Sequence, residues 1–245
     1  MKIFANIPGF IKLIFCLKYL NKFKKGISNA VAAGDLEKER EDILNATSFW
    51  GKKVFEMFDC KLNVEGYENL PEKGPVVFAG NHQGYGDIIA YCAALDKFQF
   101  GFVAKDELGK VPLYGPWIER IRSVFIERDD PRASLKAINK GIEYIEQGYS
   151  MAIYPEGTRS KGPHMGEFKK GSLKLATKPG VPVIPISLDG TYKLFEEHGC
   201  FKPAEINIII HPMIETKDLD RKEEKALSEK IEKIVADGVK ELQSR

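Results

Sequence analysis

From about residue 60 onward the chain alternates short apolar runs with amphipathic stretches, and no other feature of the sequence restricts its fold as strongly. The runs CKLNVEGYENL, GPVVFAGN, FQFGFVAK, RSVFIER, SMAIYPEG, VPVIPISLDG and INIIIHP are rich in Val, Ile and Phe and read as strands, several closing on Gly, Asn or Asp. The stretch DDPRASLKAINKGIEYIEQG predicts the clearest helix, with an Asp cap, Pro131 in the first turn and a closing Gly148. Its apolar stripe is Leu135, Ile138, Ile142 and Ile145. A final charged segment carries Leu227, Ile231, Ile234 and Leu242 and predicts an amphipathic helix. Strands separated by helices predict an α/β fold, a mixed sheet flanked by helices, with functional groups on loops at strand ends. At 245 residues, 43% of them hydrophobic, the chain can bury such a core as one domain with a small appendage.

The appendage is N-terminal. MKIFANIPGFIKLIFCLKYLNKFKK is apolar but interrupted: Lys12 and Lys18 break it well short of the roughly 20 apolar residues that cross a bilayer, and Pro8-Gly9 breaks it again. No small-residue cleavage site follows it, as a signal peptide would require. Lys2, Lys12, Lys18, Lys22, Lys24 and Lys25 all precede the first acid, Asp35. With Phe4, Phe10, Phe15 and Phe23, this charge points to an amphipathic helix or helix pair lying in the membrane interface. The competing reading is an ordinary core helix with a basic face. A second helical pattern, DLEKEREDILNATSFWGKKVFEMFD, runs from about Asp35 to Asp59. Residues 1–59 are therefore expected to form a helical membrane-associating segment ahead of an α/β domain over 60–245.

Several classes fall away. A formal charge of +2, without aromatic-basic interleaving, does not suit nucleic acid. Cys16, Cys60, Cys92 and Cys200 have no paired spacing, which argues for a reducing compartment and against a disulfide framework or thiolate metal site. His82, His164, His198 and His211 show no ligand spacing either, so no metal is expected.

The stretch FAGNHQGYGDIIA holds the most specific polar pattern. Positions five apart lie about 140° apart around a helix, so His82 and Asp87 can meet only if the chain between them curls in a loop. Gly84 and Gly86 permit that path. The following DIIAYCAAL reads as a helix start with Asp87 at or near its N-cap. The bland alternative is a capped helix beside an exposed histidine, and this fragment alone does not decide between the two.

Three further strand ends are polar: Lys105 in FVAKDELG, Arg128 in VFIERDD, and Glu156, Gly157, Thr158 and Arg159 in AIYPEGTRSKG. Taken singly, each is most simply a surface charge or a tight turn. Together with His82 and Asp87 they describe a basic pocket beside a base. Arginine's planar fork suits a phosphate and lysine supplies a point charge. A phosphate-bearing guest and an apolar N-terminus point to a membrane lipid.

These residues resemble the bacterial 1-acyl-sn-glycerol-3-phosphate acyltransferases, the lysophosphatidic acid acyltransferase branch of the glycerolipid acyltransferases. The family's N-H-x4-D motif stands as Asn81 to Asp87, and G-x-x-F-I-x-R as Arg122 to Arg128, with Arg122 in place of the glycine, which puts the turn there in question. F-P-E-G-T-R-S stands as Tyr154 to Ser160, F-K-K-G as Phe168 to Gly171, and V-P-[IV]-x-P as Val181 to Pro185. The motifs run in order across residues 81–185; the termini match only in general character.

The resemblance implies acyl transfer from acyl-CoA or acyl-carrier protein to the 2-hydroxyl of lysophosphatidic acid, making phosphatidic acid without any cofactor. His82 would be the general base and Asp87 its orienting carboxylate. Arg159 and Arg128 would bind the acceptor phosphate. Backbone N–H groups near Gly157 or the Lys105 ammonium would hold the oxyanion, and Glu156 would orient the loop or bond the glycerol. With no G-x-S-x-G elbow and no cysteine in any motif, transfer is expected to be direct. The expected location is the cytoplasmic face of the cell membrane, peripheral or monotopic. Kept beside this reading are related acceptors (glycerol-3-phosphate or another lysophospholipid), a thioester hydrolase and a non-catalytic lipid-binding protein.

Overall fold

The computed structural model describes residues 2–127, 130–169 and 171–245, with the side chains of all but residues 2–5 and 221 among them. Arg128 therefore lies outside the described residues. Strands β1 (Lys61–Glu65), β2 (Val77–Gly80), β3 (Phe100–Lys105), β4 (Val124–Ile126), β5 (Ser150–Ile153), β6 (Val183–Asp189) and β7 (Glu205–Ile210) fall on the apolar runs expected of them. They form a sheet in the order β1-β7-β6-β2-β5-β3-β4. It is mixed: β6 and β7 are antiparallel and every other neighbouring pair is parallel.

Alternation along each strand feeds two cores. On one face Phe78, Phe100, Ile184 and Ile208 pack with helices α1 (Lys2–Tyr19), α2 (Asn21–Ala33), α3 (Leu36–Met57) and α4 (Gly86–Ala94). On the other, Val77, Ala79, Met151 and Val183 pack with α7 (Pro131–Glu146), α8 (Lys174–Thr177) and α9 (Arg221–Gln243). Two short helices, α5 (Asp106–Gly109) and α6 (Gly115–Arg120), connect β3 to β4. The α7 cap is as expected, with the Asp130 carboxylate accepting from the N–H groups of Arg132 and Ala133 at 2.8 and 3.1 Å.

Three expectations need correction. Leu135 does not join the buried stripe of α7: it stands 53% exposed in the second turn, and the buried face is Ala137, Gly141, Ile142 and Ile145. Pro8-Gly9 does not end the first helix, which runs through it to Tyr19. A proline in the second turn removes a single helical hydrogen bond, and Gly9 is seated on Phe201, where a Cβ would come within 2.1 Å of the ring. The turn at Arg122 keeps a glycine-like conformation despite the substitution, with φ of 63°. What holds it is a bidentate pair from Nε and Nη2 of Arg122 to the buried carboxylate of Glu39 on α3, at 2.6 and 2.8 Å. The Tyr149 hydroxyl donates to the same carboxylate at 2.8 Å. Burial, and then that carboxylate, push its phenol up to about 12.

Candidate active site

The centre of the site is the crossing from β2 to α4. Gly80 closes β2 where a Cβ would come within 2.1 Å of the Tyr91 hydroxyl and 2.6 Å of the Ile186 carbonyl, so the backbone passes where no side chain fits. The next residues are fastened to the end of β6 by buried side chains. The Asn81 amide donates to the Leu188 carbonyl at 2.8 Å and accepts from the Leu188 N–H at 2.9 Å. Gln83 donates to Asp189 and accepts from the Gly190 N–H, both at 2.9 Å. Between these two anchors stands His82.

His82 and Asp87 are partners: Nδ1 and Oδ2 are 2.5 Å apart, with Asp87 fully buried and the imidazole 15% exposed. The helix begins at Gly86, so Asp87 sits in its first turn rather than at the cap. Its carboxylate also accepts from the Gly84 N–H, 3.1 Å from each oxygen, and from the Thr191 hydroxyl. With every donor aimed at it, the carboxylate stays an acceptor and requires the proton on Nδ1, which leaves the lone pair on Nε2. Tyr154 lies flat under the ring, 4.2 Å away with 9° between planes. Its hydroxyl is buried with no hydrogen-bond partner.

The Glu156-Gly157-Thr158-Arg159 loop docks on this frame. Glu156, 5% exposed, accepts from the His82 N–H at 2.6 Å and the Gly166 N–H at 2.7 Å, so it joins two loops. Burial raises its carboxyl above the usual range, against the pull of those two amides. Two backbone bonds complete the clamp, from Ser160 N–H to the His82 carbonyl at 2.8 Å and from Lys161 N–H to the Gln83 carbonyl at 3.0 Å. Gly157 takes φ of 71° beneath the Lys169 ammonium, which would lie 2.9 Å from a Cβ there. Thr158 is exposed at the edge.

Arg159 stacks 3.7 Å over the Tyr85 ring and gives Nη1 to Glu196 at 2.8 Å. The site thus gathers His82, Asp87, Glu156, Gly157, Thr158 and Arg159. Lys105 stands apart at the end of β3, two strands from β2, its half-exposed ammonium paired with Glu107 at 2.6 Å. Glu196 and Thr191 were not legible in advance, because neither belongs to a motif. Tyr154 was visible only as a departure from phenylalanine.

An apolar cavity adjoins the site, lined among others by Leu20, Trp50, Ile88, Phe102, Tyr114 and Trp117. Ile88 follows Asp87 directly, so the cavity reaches the first turn of α4. Among the described residues no group of three or more His, Cys, Asp or Glu side chains is placed to hold a metal ion.

A family model described as Acyltransferase matches residues 61–189, more than half of the chain. The 1-acyl-sn-glycerol-3-phosphate acyltransferase of Borreliella burgdorferi is 33% identical over 171 residues, covering 69% of this chain and 67% of that protein. The chloroplastic 1-acyl-sn-glycerol-3-phosphate acyltransferase LPAT1 of Arabidopsis thaliana is 35% identical over 163 residues, 65% of this chain. The chain spans only 45% of the length of that relative and of a chloroplastic Brassica napus counterpart. The crystal structure of the 1-acyl-sn-glycerophosphate (LPA) acyltransferase PlsC from Thermotoga maritima aligns with a TM-score of 0.75 at 30% identity, covering 100% of this chain and 99% of that one. The family model spans β2, β5 and the loops after them that carry His82 and Arg159, and the chain belongs to the acyltransferase family.

Proposed function

We propose that this chain moves a fatty acyl group from an acyl thioester, acyl-CoA or acyl-carrier protein, to the 2-hydroxyl of 1-acyl-sn-glycerol-3-phosphate, making phosphatidic acid. The observation that carries this reading is the 2.5 Å contact between His82 and the buried Asp87, one loop from Arg159. A protein that only bound lipid would have no use for a free Nε2 backed by a buried carboxylate.

In this reading Nε2 of His82 takes the proton of the acceptor hydroxyl as its oxygen attacks the thioester carbonyl carbon. Asp87 holds the tautomer and stabilises the imidazolium. Collapse of the tetrahedral intermediate breaks the carbon–sulfur bond, and the imidazolium returns the proton to the departing thiolate. No acyl-enzyme is needed: Cys92 is buried, with a thiol pushed well up by that burial. Arg159, with Arg128, binds the acceptor phosphate. N–H groups near Gly157 serve the oxyanion, the Lys105 ammonium being already paired with Glu107. The apolar cavity beside Ile88 takes an acyl chain.

The membrane belongs to the same proposal. Helix α1 buries Cys16, and Leu20 just beyond its end is buried too, but Ile7, Ile11, Ile14 and Phe15 are left between 43% and 54% exposed, interleaved with Lys12 and Lys18. No described helix is long and apolar enough to cross a membrane. Residues 1–59 then lie on the cytoplasmic face and residues 60–245 carry the chemistry.

The test is transfer from radiolabelled acyl-CoA, then acyl-carrier protein, to lysophosphatidic acid. Wild type is expected to make phosphatidic acid and His82→Ala to lose about 10³ in kcat. Free fatty acid without phosphatidic acid would indicate a hydrolase. Silence with lysophosphatidic acid but turnover of glycerol-3-phosphate or a larger lysophospholipid would move the acceptor assignment.

A further inference from the structure

Glu196 belongs to no motif, yet its carboxylate lies at the junction of the two catalytic loops. It follows the 3-10 turn Thr191–Leu194, and its side chain is 5% exposed. Oε1 accepts from the Tyr85 N–H at 2.8 Å and from Nη1 of Arg159 at 2.8 Å. Oε2 is buried against Gly84, 2.5 Å from where a Cβ would stand, and has no hydrogen-bond partner. Burial raises this carboxyl above its ordinary range, while the Tyr85 amide and Arg159 pull it back.

A carboxylate beside a phosphate-binding arginine would weaken an anion site through its charge alone, so its presence needs a compensating role. Arginine carries about 2 kcal/mol of side-chain rotamer entropy, which a bound anion must otherwise immobilise. Glu196 removes that freedom in advance. It takes Nη1 on one edge while the Tyr85 ring supports one face. The remaining N–H groups of the guanidinium have no protein acceptor among the described residues, and the side chain keeps 24% of its surface exposed, which leaves its fork open to an anion. Through the Tyr85 N–H, the same oxygen ties that fork to the loop holding His82 and Asp87. One carboxylate thus links the Arg159 guanidinium to the loop that carries His82.

We propose that Glu196 is a positioning residue for the acceptor, acting through Arg159 to set affinity for phosphate-bearing lysolipids. This rests on the reading of Arg159 as the phosphate cation.

The experiment is a double-mutant cycle on the full chain, with KM for lysophosphatidic acid, KM for the acyl donor and kcat measured for wild type, Glu196→Ala, Arg159→Ala and the double variant. Glu196→Ala is expected to raise acceptor KM about tenfold, with donor KM unchanged and kcat at saturating acceptor within about threefold of wild type. In the Arg159→Ala background the same change should add less than about twofold. Glu196→Gln keeps an oxygen acceptor for both donors and should raise acceptor KM by only about threefold. That variant carries the cycle should the alanine protein fail to fold. An equal rise in both backgrounds, a fall in acceptor KM, or a loss confined to kcat would overturn the role of Glu196. If Arg159→Ala itself left acceptor KM unchanged, the phosphate assignment would fail instead, which is a separate outcome.

Discussion

At the scale of single residues, tyrosine in place of phenylalanine ahead of the Pro155-Glu156-Gly157 turn brings a hydroxyl into the core under the His82 imidazole. The ring stacks on His82, but Oη of Tyr154 is buried without a partner. Burial, and after it the neighbouring Tyr91, hold this phenol far above its usual range, so it stays protonated. A buried polar group without a hydrogen bond costs about 1–3 kcal/mol. Tyr154→Phe should therefore raise stability by about 1 kcal/mol in urea unfolding and leave kcat within about twofold. Tyr154→Ala removes the ring and should cost about 3 kcal/mol, together with much of the activity, because nothing then supports the imidazole from below. A destabilised phenylalanine variant would mean that the hydroxyl has a partner.

At the scale of elements, two polar contacts join pieces far apart in sequence. Arg122 could relieve a left-handed backbone by reverting to glycine, a gain of about 1 kcal/mol. Its pair with Glu39 opposes this, since the carboxylate is 1% exposed and loses its charge partner. Breaking such a pair costs about 3 kcal/mol. The second effect wins, so Arg122→Gly should destabilise by about 2 kcal/mol, and Glu39→Gln in the same chain should restore part of the loss in urea unfolding.

The other contact joins β6, β7 and α9. Ser187 donates its hydroxyl to the Val235 carbonyl at 2.8 Å and lies 2.7 Å from Nε2 of His211. The serine proton is thus committed, so Nε2 of His211 donates to the serine oxygen. Burial depresses the pKa of this histidine below 6.5, with Glu241 opposing weakly. A depressed histidine contributes stability above its unfolded pKa and loses it as pH falls through the folded value. Thermal stability should therefore decline from about pH 6.5 downward, more steeply in wild type than in His211→Gln. Parallel Tm–pH curves would exclude this histidine as the source.

At the scale of the whole molecule, the proposed membrane surface has a measurable size. Moving Ile11, Ile14 and Phe15 from half-exposed positions into lipid is worth about 1 kcal/mol each. The triple serine variant should bind anionic vesicles about a hundredfold more weakly. Its turnover of detergent-dispersed acceptor should stay within about threefold of wild type. Unchanged co-sedimentation would assign α1 to another partner.

Much of this was legible in the sequence because it is encoded locally. Strand and helix order followed from apolar periodicity. Five-residue spacing and two glycines left the His82–Asp87 pairing open, and the acyltransferase resemblance, carried by motifs confined to residues 81–185, implied it. The errors were also local in origin: Pro8-Gly9 read as a break because the docking of Gly9 on Phe201 is a long-range fact. Only the tertiary structure supplied the partners. Thr191 reaches Asp87 from 104 residues away, Glu39 reaches Arg122 across 83, and Glu196 meets Arg159 across 37. Such pairs depend on which strand lies beside which, here β6 beside β2 and β2 beside β5. A sequence states its own periodicities and spacings, whereas strand order emerges from packing the whole core, so the acyltransferase family could be read from the chain and the groups that hold its motif residues in place could not.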